Sequence, residues 1–241
     1  MQISNLKAVM NNQKYDREFI YKNVVVLNTS FDSFIVGLHS NEFAEKRINS
    51  RVNMQLSEYL NYNEKTLFPQ AVEVYNESVD NDYPIRAFES ILDYTVTFNQ
   101  KSFLSSYRDQ YDYTGGAHGN TLRKSETWSL SSGKTLPLAY FFPQNMNYNE
   151  LIIKYILEQA EKNMESNSIY FENYAELIVQ YYNSENYYLT ESGLAIYFQQ
   201  YEIAPYSTGI VVFTIPYALL DGVFSKLNIL ENVRERNQII L

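Results

Sequence analysis

The stretch ILDYTVTFNQKSFLSSYRDQYDYTGGAHGNTLRKSETWSL, residues 91–130, decides the fold. In its first part Leu92, Tyr94, Val96 and Phe98 alternate with Asp93, Thr95 and Thr97. That is the period of two expected of a strand with one buried face. Asn99-Gln100-Lys101 reads as a hairpin turn. Phe103, Tyr107, Tyr111 and Tyr113 then share one face of a second strand. Leu122, Trp128 and Leu130 mark a third, ended by Ser131-Ser132-Gly133. The stretch predicts a three-stranded meander with an unusual loop at one end.

That loop, Tyr111-Asp112-Tyr113-Thr114-Gly115-Gly116-Ala117-His118-Gly119, holds three of the eight glycines and one of the two histidines of the chain. A Gly-Gly pair between two strands predicts a backbone with φ > 0 or a close approach to another group. The reading expects Gly115 or Gly116 to carry that φ and His118 to bond the nearby backbone. His118 is thus either a turn histidine or part of a site.

Upstream, Ile20 to Leu27 and Phe31 to Leu38 are β-rich runs, with Asn28-Thr29-Ser30 as a turn-like break. Residues 41–60 read as a helix capped by Asn41, with Phe43, Ile48, Val52, Leu56 and Leu60 near one face. A second helix runs from about Phe68 to Asn76, with Pro69 in its first turn. Downstream, Asn147 and Glu150 have capping-box spacing before a helix with Leu151, Ile152, Tyr155, Ile156 and Ala160 on one side. Another amphipathic stretch covers 170–182. Strands follow at 186–190, 194–200 and 210–215, and Pro216 opens a short helical segment. The fold class is α+β: antiparallel β-meanders with inserted amphipathic helices, without strict βαβ alternation. A soft boundary near 132–146 divides an N-terminal α+β subdomain, 1–135, from a C-terminal one, 136–241, unless the two form one compact unit.

The chain has 241 residues, 45% of them apolar and 20% charged, enough for one sizeable core or two small ones. It carries 23 Tyr against 1 Trp, which the codon bias of an AT-rich genome explains best; Tyr also suits half-buried strands and binding faces alike. Net charge is −9, which disfavours nucleic acid and anionic membrane surfaces and suits a cationic partner or simple solubility. No window approaches the length of a membrane span. The first ten residues have no apolar stretch followed by a cleavage site, so the chain as written reads as cytoplasmic. A chain whose leader had been removed would look the same.

Catalytic signals are sparse. Without Cys, and with only His39 and His118, neither a metal site nor a cofactor is expected. No Gly-x-Ser-x-Gly elbow or phosphate-binding glycine motif occurs. Paired carboxylates remain available for glycosidic chemistry, with Asp109, Asp112 and Glu202 the first to test. The loop Tyr201 to Gly209 is either a corner fixed by Pro205 and Gly209, with Glu202 pairing locally, or a surface of exposed tyrosines.

Five ordered motifs carry a resemblance. They are Tyr113-x-Gly115-Gly116-Ala117-His118; Ser132-Gly133-Lys134-x-Leu136-x-Leu138 with Phe141-Phe142; Leu194-x-Ile196-Tyr197-Phe198; Tyr201-Glu202-Ile203-Ala204-Pro205-Tyr206; and Ile215-Pro216-Tyr217. Together they resemble a bacterial domain family of unknown function. It is found in the extracellular half of RsiV-type lysozyme-sensing anti-sigma factors and N-terminally in PdaC-type peptidoglycan deacetylases. The match spans roughly residues 15–220. The resemblance implies an α+β fold, a non-catalytic role, an extracytoplasmic location, and lysozyme, a cationic protein, as partner in the anti-sigma factor. The shared motifs look like scaffold, so no individual lysozyme contact carries over. The expected function is a binding domain for a cell-envelope ligand, either a lysozyme-like protein or a cell-wall glycan. Tyr111, Tyr113, Gly115, Gly116, His118, Tyr201, Glu202 and Tyr206 are the binding candidates. The alternatives are an Asp/Glu-dependent enzyme acting on envelope polysaccharide and an intracellular interaction protein.

Overall fold

The computed structural model describes residues 5–166, 169–224 and 226. The outer ends of both sequence blocks, 1–4 and 227–241, lie outside the described residues. Strand β1 (Val9–Tyr21) pairs antiparallel with β2 (Val24–Gly37). Helix α1 (Glu42–Tyr62) and helix α2 (Phe68–Asp80) follow, joined by a π-helical turn over Asn63–Leu67. Strands β3 (Phe88–Gln100), β4 (Phe103–Tyr113) and β5 (Asn120–Ser129) form the meander read from the sequence. All five strands make one sheet in sequence order, but β2 and β3 pair parallel. The α1–α2 rod is the crossover that a parallel pair requires, so one βαβ unit sits inside an otherwise antiparallel sheet.

Sequence and structure part company at the hairpins. The first turn is at Lys22-Asn23, both with positive φ, and not at Asn28-Thr29-Ser30. Two left-handed residues give a tight hairpin whose twist matches the strands. Asn28 to Ser30 continue β2, where the buried Thr29 hydroxyl donates to the Arg17 carbonyl. The second turn is likewise centred on Lys101-Ser102, both left-handed, one step beyond the sequence reading.

Asn41 caps α1 as expected, accepting from the Ala44 amide at 3.2 Å. Its Nδ2 donates to the carbonyls of Leu130 and Ser131 at 3.0 Å each, tying the helix start to the end of β5. Ala44, Ile48, Val52 and Leu56 bury against Phe34, Leu92, Leu104 and Trp128. Phe43, assigned to the same face by spacing, is 69% exposed, because the docked face is centred on Ala44 and Ile48. Leu67 and Ala71 cover Phe19, Val26, Leu27 and Phe88. The helical rod therefore blankets one face of the sheet.

Helices α3 (Tyr148–Ser166) and α4 (Tyr174–Tyr181) and strands β6 (Tyr187–Leu189), β7 (Gly193–Phe198) and β8 (Val211–Pro216) form the second block. Every residue of β7 is buried. Leu194, Ile196 and Phe198 face Ile152, Ile156, Ala160 and Ile178 on the helices. Ala195 and Tyr197 pack on the other side with Tyr107 of β4. A strand covered on both faces reads as a continuous apolar run, as Leu-Ala-Ile-Tyr-Phe does. The layers run helix, five-stranded sheet, three-stranded sheet, helix. The Leu189 amide donates to the Ser105 hydroxyl at 3.0 Å across the two sheets, and Phe98 and Phe103 join the second core.

The outer edge of β5 would be an open template for pairing with another chain. Two glutamines after β7 close it. Gln200 Oε1 accepts from the Thr121 amide at 2.7 Å. Gln199 accepts from the Arg123 amide at 3.0 Å and donates to the Arg123 carbonyl at 2.7 Å, as a further strand would. Gln199→Ala is expected to cost about 1–2 kcal/mol, the net worth of two such bonds, and to raise self-association. Urea unfolding with analytical ultracentrifugation reads both.

Candidate functional site

The three-stranded sheet covers only the part of the five-stranded sheet near Phe98, Phe103 and Tyr107. Past Tyr107 the same face is open over β1 to β3, while its β4–β5 end is partly covered. Residues directly opposite one another on paired strands project to the same side, so the register defines that face. Lys14 lies opposite Asp32, Asp32 opposite Asp93, Asp93 opposite Asp109, and Asp109 opposite Arg123. One row thus crosses all five strands with three carboxylates in the middle and a cation at each end. The ends are closed by ion pairs, Lys14–Asp32 at 2.8 Å and Arg123–Asp109 at 2.6 Å. Arg123 grips both oxygens of Asp109 and lies 3.7 Å above the Tyr107 ring. The central Asp93 has neither bond. Beyond this row come Asp16, Ser30, Ile91 and Tyr111, then Glu18, Asn28, Glu89 and Tyr113. A shallow depression of about 280 Å³ runs between these rows, lined by Asp16, Glu18, Ser30 and Glu89.

Like charges placed directly opposite on neighbouring strands destabilise a sheet. Burial and then the charges of Asp32 and Asp109 raise the Asp93 carboxyl above its ordinary value, while Lys14 opposes the shift. A carboxyl whose folded pKa is raised binds its proton more tightly in the native state, so stability falls as pH rises through that raised pKa. Asp93→Asn should therefore leave stability near pH 4 almost unchanged. At pH 7 it should raise it, by only a few tenths of a kcal/mol because the site is exposed and screened. Urea unfolding at the two pH values checks this; a loss of stability at pH 7 would contradict it.

At the rim of this face the structure brings the two loops singled out in the sequence together. The His118 ring stacks on Tyr206 with centroids 3.8 Å apart, and Nε2 lies 3.4 Å from the Tyr201 hydroxyl. Tyr201 and Tyr206 are themselves in ring contact at 5.8 Å. His118 Nδ1 lies 3.0 Å from the Gly119 carbonyl, as the turn reading expected. Gly115 has φ +86°, and Gly116 has no positive φ and only an ordinary contact, the His118 carbonyl oxygen at 4.0 Å, at its Cβ position. The Tyr111 ring occupies the space a side chain at Gly119 would need. Glu202 turns away from the face and accepts from the Gln199 amide at 2.6 Å, fixing the corner; burial raises its carboxyl.

The three carboxylates named for glycosidic chemistry do not converge. Asp109 and Asp112 lie three positions apart on one strand, hence on opposite faces. Asp109 is held by Arg123. Asp112 accepts from Ser90 Oγ at 2.6 Å and Gln110 at 2.9 Å on the helix side, and Glu202 caps its turn. Among the described residues no three His, Asp or Glu side chains are grouped to hold a metal ion, and no helix is long and apolar enough to cross a membrane.

The acidic row was missed in the sequence. Lys14, Asp16 and Glu18 alternate within β1, a usable signal. Placing β1 against β2 needs the turn at Lys22-Asn23, and placing β2 against β3 needs the parallel register; neither is local information.

Residues 34–121 match the family model described as Deacetylase PdaC, and residues 140–218 the model described as Protein of unknown function (DUF3298). The chain is 22% identical over 166 residues to the peptidoglycan-N-acetylmuramic acid deacetylase PdaC of Bacillus subtilis strain 168. That alignment takes in 68% of this chain and 35% of the deacetylase, so the chain spans about a third of that relative's length. The crystal structure of a DUF3298 family member from Bacteroides fragilis NCTC 9343 superposes with a TM-score of 0.69 at 18% identity, covering 96% of this chain and 100% of that one. A DUF3298 family protein from Pseudomonas aeruginosa PAO1 gives 0.61 at 17% identity, covering 93% and 97%. The two family models, matched on successive segments, and the shared fold support a likeness to DUF3298/PdaC-like domains.

Proposed function

We propose that this chain is a non-catalytic binding domain of the cell envelope and that the open half of its five-stranded sheet receives a cationic protein. The similarity to a segment of a peptidoglycan deacetylase supports the envelope association. The motif resemblance to lysozyme-sensing domains supports a lysozyme-like partner. The observation that carries the reading is the row Asp32–Asp93–Asp109, in which like charges stand side by side at a cost to the fold. Stability given up at one surface position is characteristic of sites kept for function. Six carboxylates (Asp16, Glu18, Asp32, Glu89, Asp93 and Asp109) share that face with two cations. Tyr111 and Tyr113 add large amphipathic side chains of the kind that anchor interfaces, and His118, Tyr201 and Tyr206 form its rim.

Calorimetric titration with hen-type lysozyme tests this. Binding is expected at low salt and should weaken at least tenfold at high salt, since exposed charges are screened over about 8 Å at physiological ionic strength. Affinity that salt leaves unchanged, or no binding at low salt, would count against the acidic face.

A further inference from the structure

On the opposite side of the sheet, the end of α1 overhangs β4 and β5 and leaves a cleft of about 420 Å³. Its floor holds Arg108 and Lys124, which are direct cross-strand partners and so lie side by side on the same face. Neither takes part in an ion pair among the described residues. Two adjacent cations repel one another across a strand pair, and a bound carboxylate relieves that repulsion while gaining charge-assisted hydrogen bonds. The other acids of the cleft do not serve. Asp112 is already bonded by Ser90 and Gln110, with the Tyr62 hydroxyl at 3.4 Å, and Glu58 comes within ion-pair reach of neither cation.

The remaining walls suit hydroxyl and amide groups. Asn120 and the Gln110 amide oxygen line the cleft together with Tyr62 and the exposed Leu122, while the buried Gln55 is bonded to Glu126 and Tyr94. A few placed polar groups beside an apolar wall are the ordinary make-up of a small-molecule site. From the paired cations and this lining we infer that the cleft binds a carboxylate-bearing saccharide, its carboxylate between Arg108 and Lys124 and its ring against Leu122 and Tyr62. This site is separate from the acidic face, which lies across the sheet.

The test is titration of the full chain, followed by amide chemical shifts, with two matched sugar pairs at up to 20 mM: N-acetylmuramic acid against N-acetylglucosamine, and glucuronic acid against glucose. Within at least one pair the carboxylate-bearing member should bind at least tenfold more tightly, with shifts at β4 and β5. The pair that does so identifies the carrier of the carboxylate. Arg108→Gln and, at the more exposed position, Lys124→Gln should each weaken that binding at least fivefold in a chain whose spectrum remains folded. Asp93→Asn, on the other face, should leave it unchanged. Equal binding within both pairs, no binding by any sugar, or retained affinity in both variants would overturn the inference.

Discussion

Gly133→Ala is expected to cost about 3 kcal/mol or more of folding stability. Gly133 has φ +66°, a conformation that costs an L-residue about 1 kcal/mol or more. The larger share comes from packing. A Cβ there would lie 2.8 Å from both the Cα and the carbonyl oxygen of Ala44, and 3.0 Å from Arg47 Cβ. Ala44 is fully buried in the first turn of α1, so the clash is with backbone and can be relieved only by moving the helix. Such a shift would pull Asn41 from the carbonyls of Leu130 and Ser131 and loosen the contact of Ile48 with the sheet. Chemical denaturation measures the loss; a change below 1 kcal/mol would mean that the helix start is not fixed against this turn.

Arg123→Leu is expected to cost about 2–3 kcal/mol, somewhat under the 3–5 kcal/mol typical when one partner of a fully buried pair is removed. The Arg123 side chain is only 11% exposed and that of Asp109 26%. Removing the guanidinium leaves Asp109 beside Asp93 without its bidentate partner, and strips the cation from the face of Tyr107. Removing both charges should be milder than removing one, because no unpaired carboxylate remains. The double variant Arg123→Leu with Asp109→Leu should therefore be more stable than Arg123→Leu alone. If it is less stable, the pair is not what holds this end of the row.

The elements and the site were legible to different extents. Period-two alternation located β3, and cap plus spacing located α1, since both depend on residues within one or two turns of each other. The Gly-Gly loop and the Tyr201 loop were each recognisable from glycine, proline and tyrosine content, but nothing local says that His118 stacks on Tyr206. The acidic row is a property of register. Asp32, Asp93 and Asp109 become neighbours only when a parallel pairing and an antiparallel one are combined, and a shift of one residue would send each to the other face. The parallel pairing itself depends on where the long α1–α2 crossover returns the chain. The Arg108–Lys124 pair was hidden for the same reason.

On the proposed reading the open sheet face, and not net charge, receives the cationic partner. Charge reversal at two places with equal change in net charge tests it: Glu89→Lys with Asp93→Lys on the face, against Glu73→Lys with Glu77→Lys on the exposed side of α2. Affinity for hen-type lysozyme, measured by calorimetry at low salt, should fall at least tenfold for the first pair and less than threefold for the second. Equal losses for both would rule out a site on this face and leave only a general attraction of an acidic protein for a basic one.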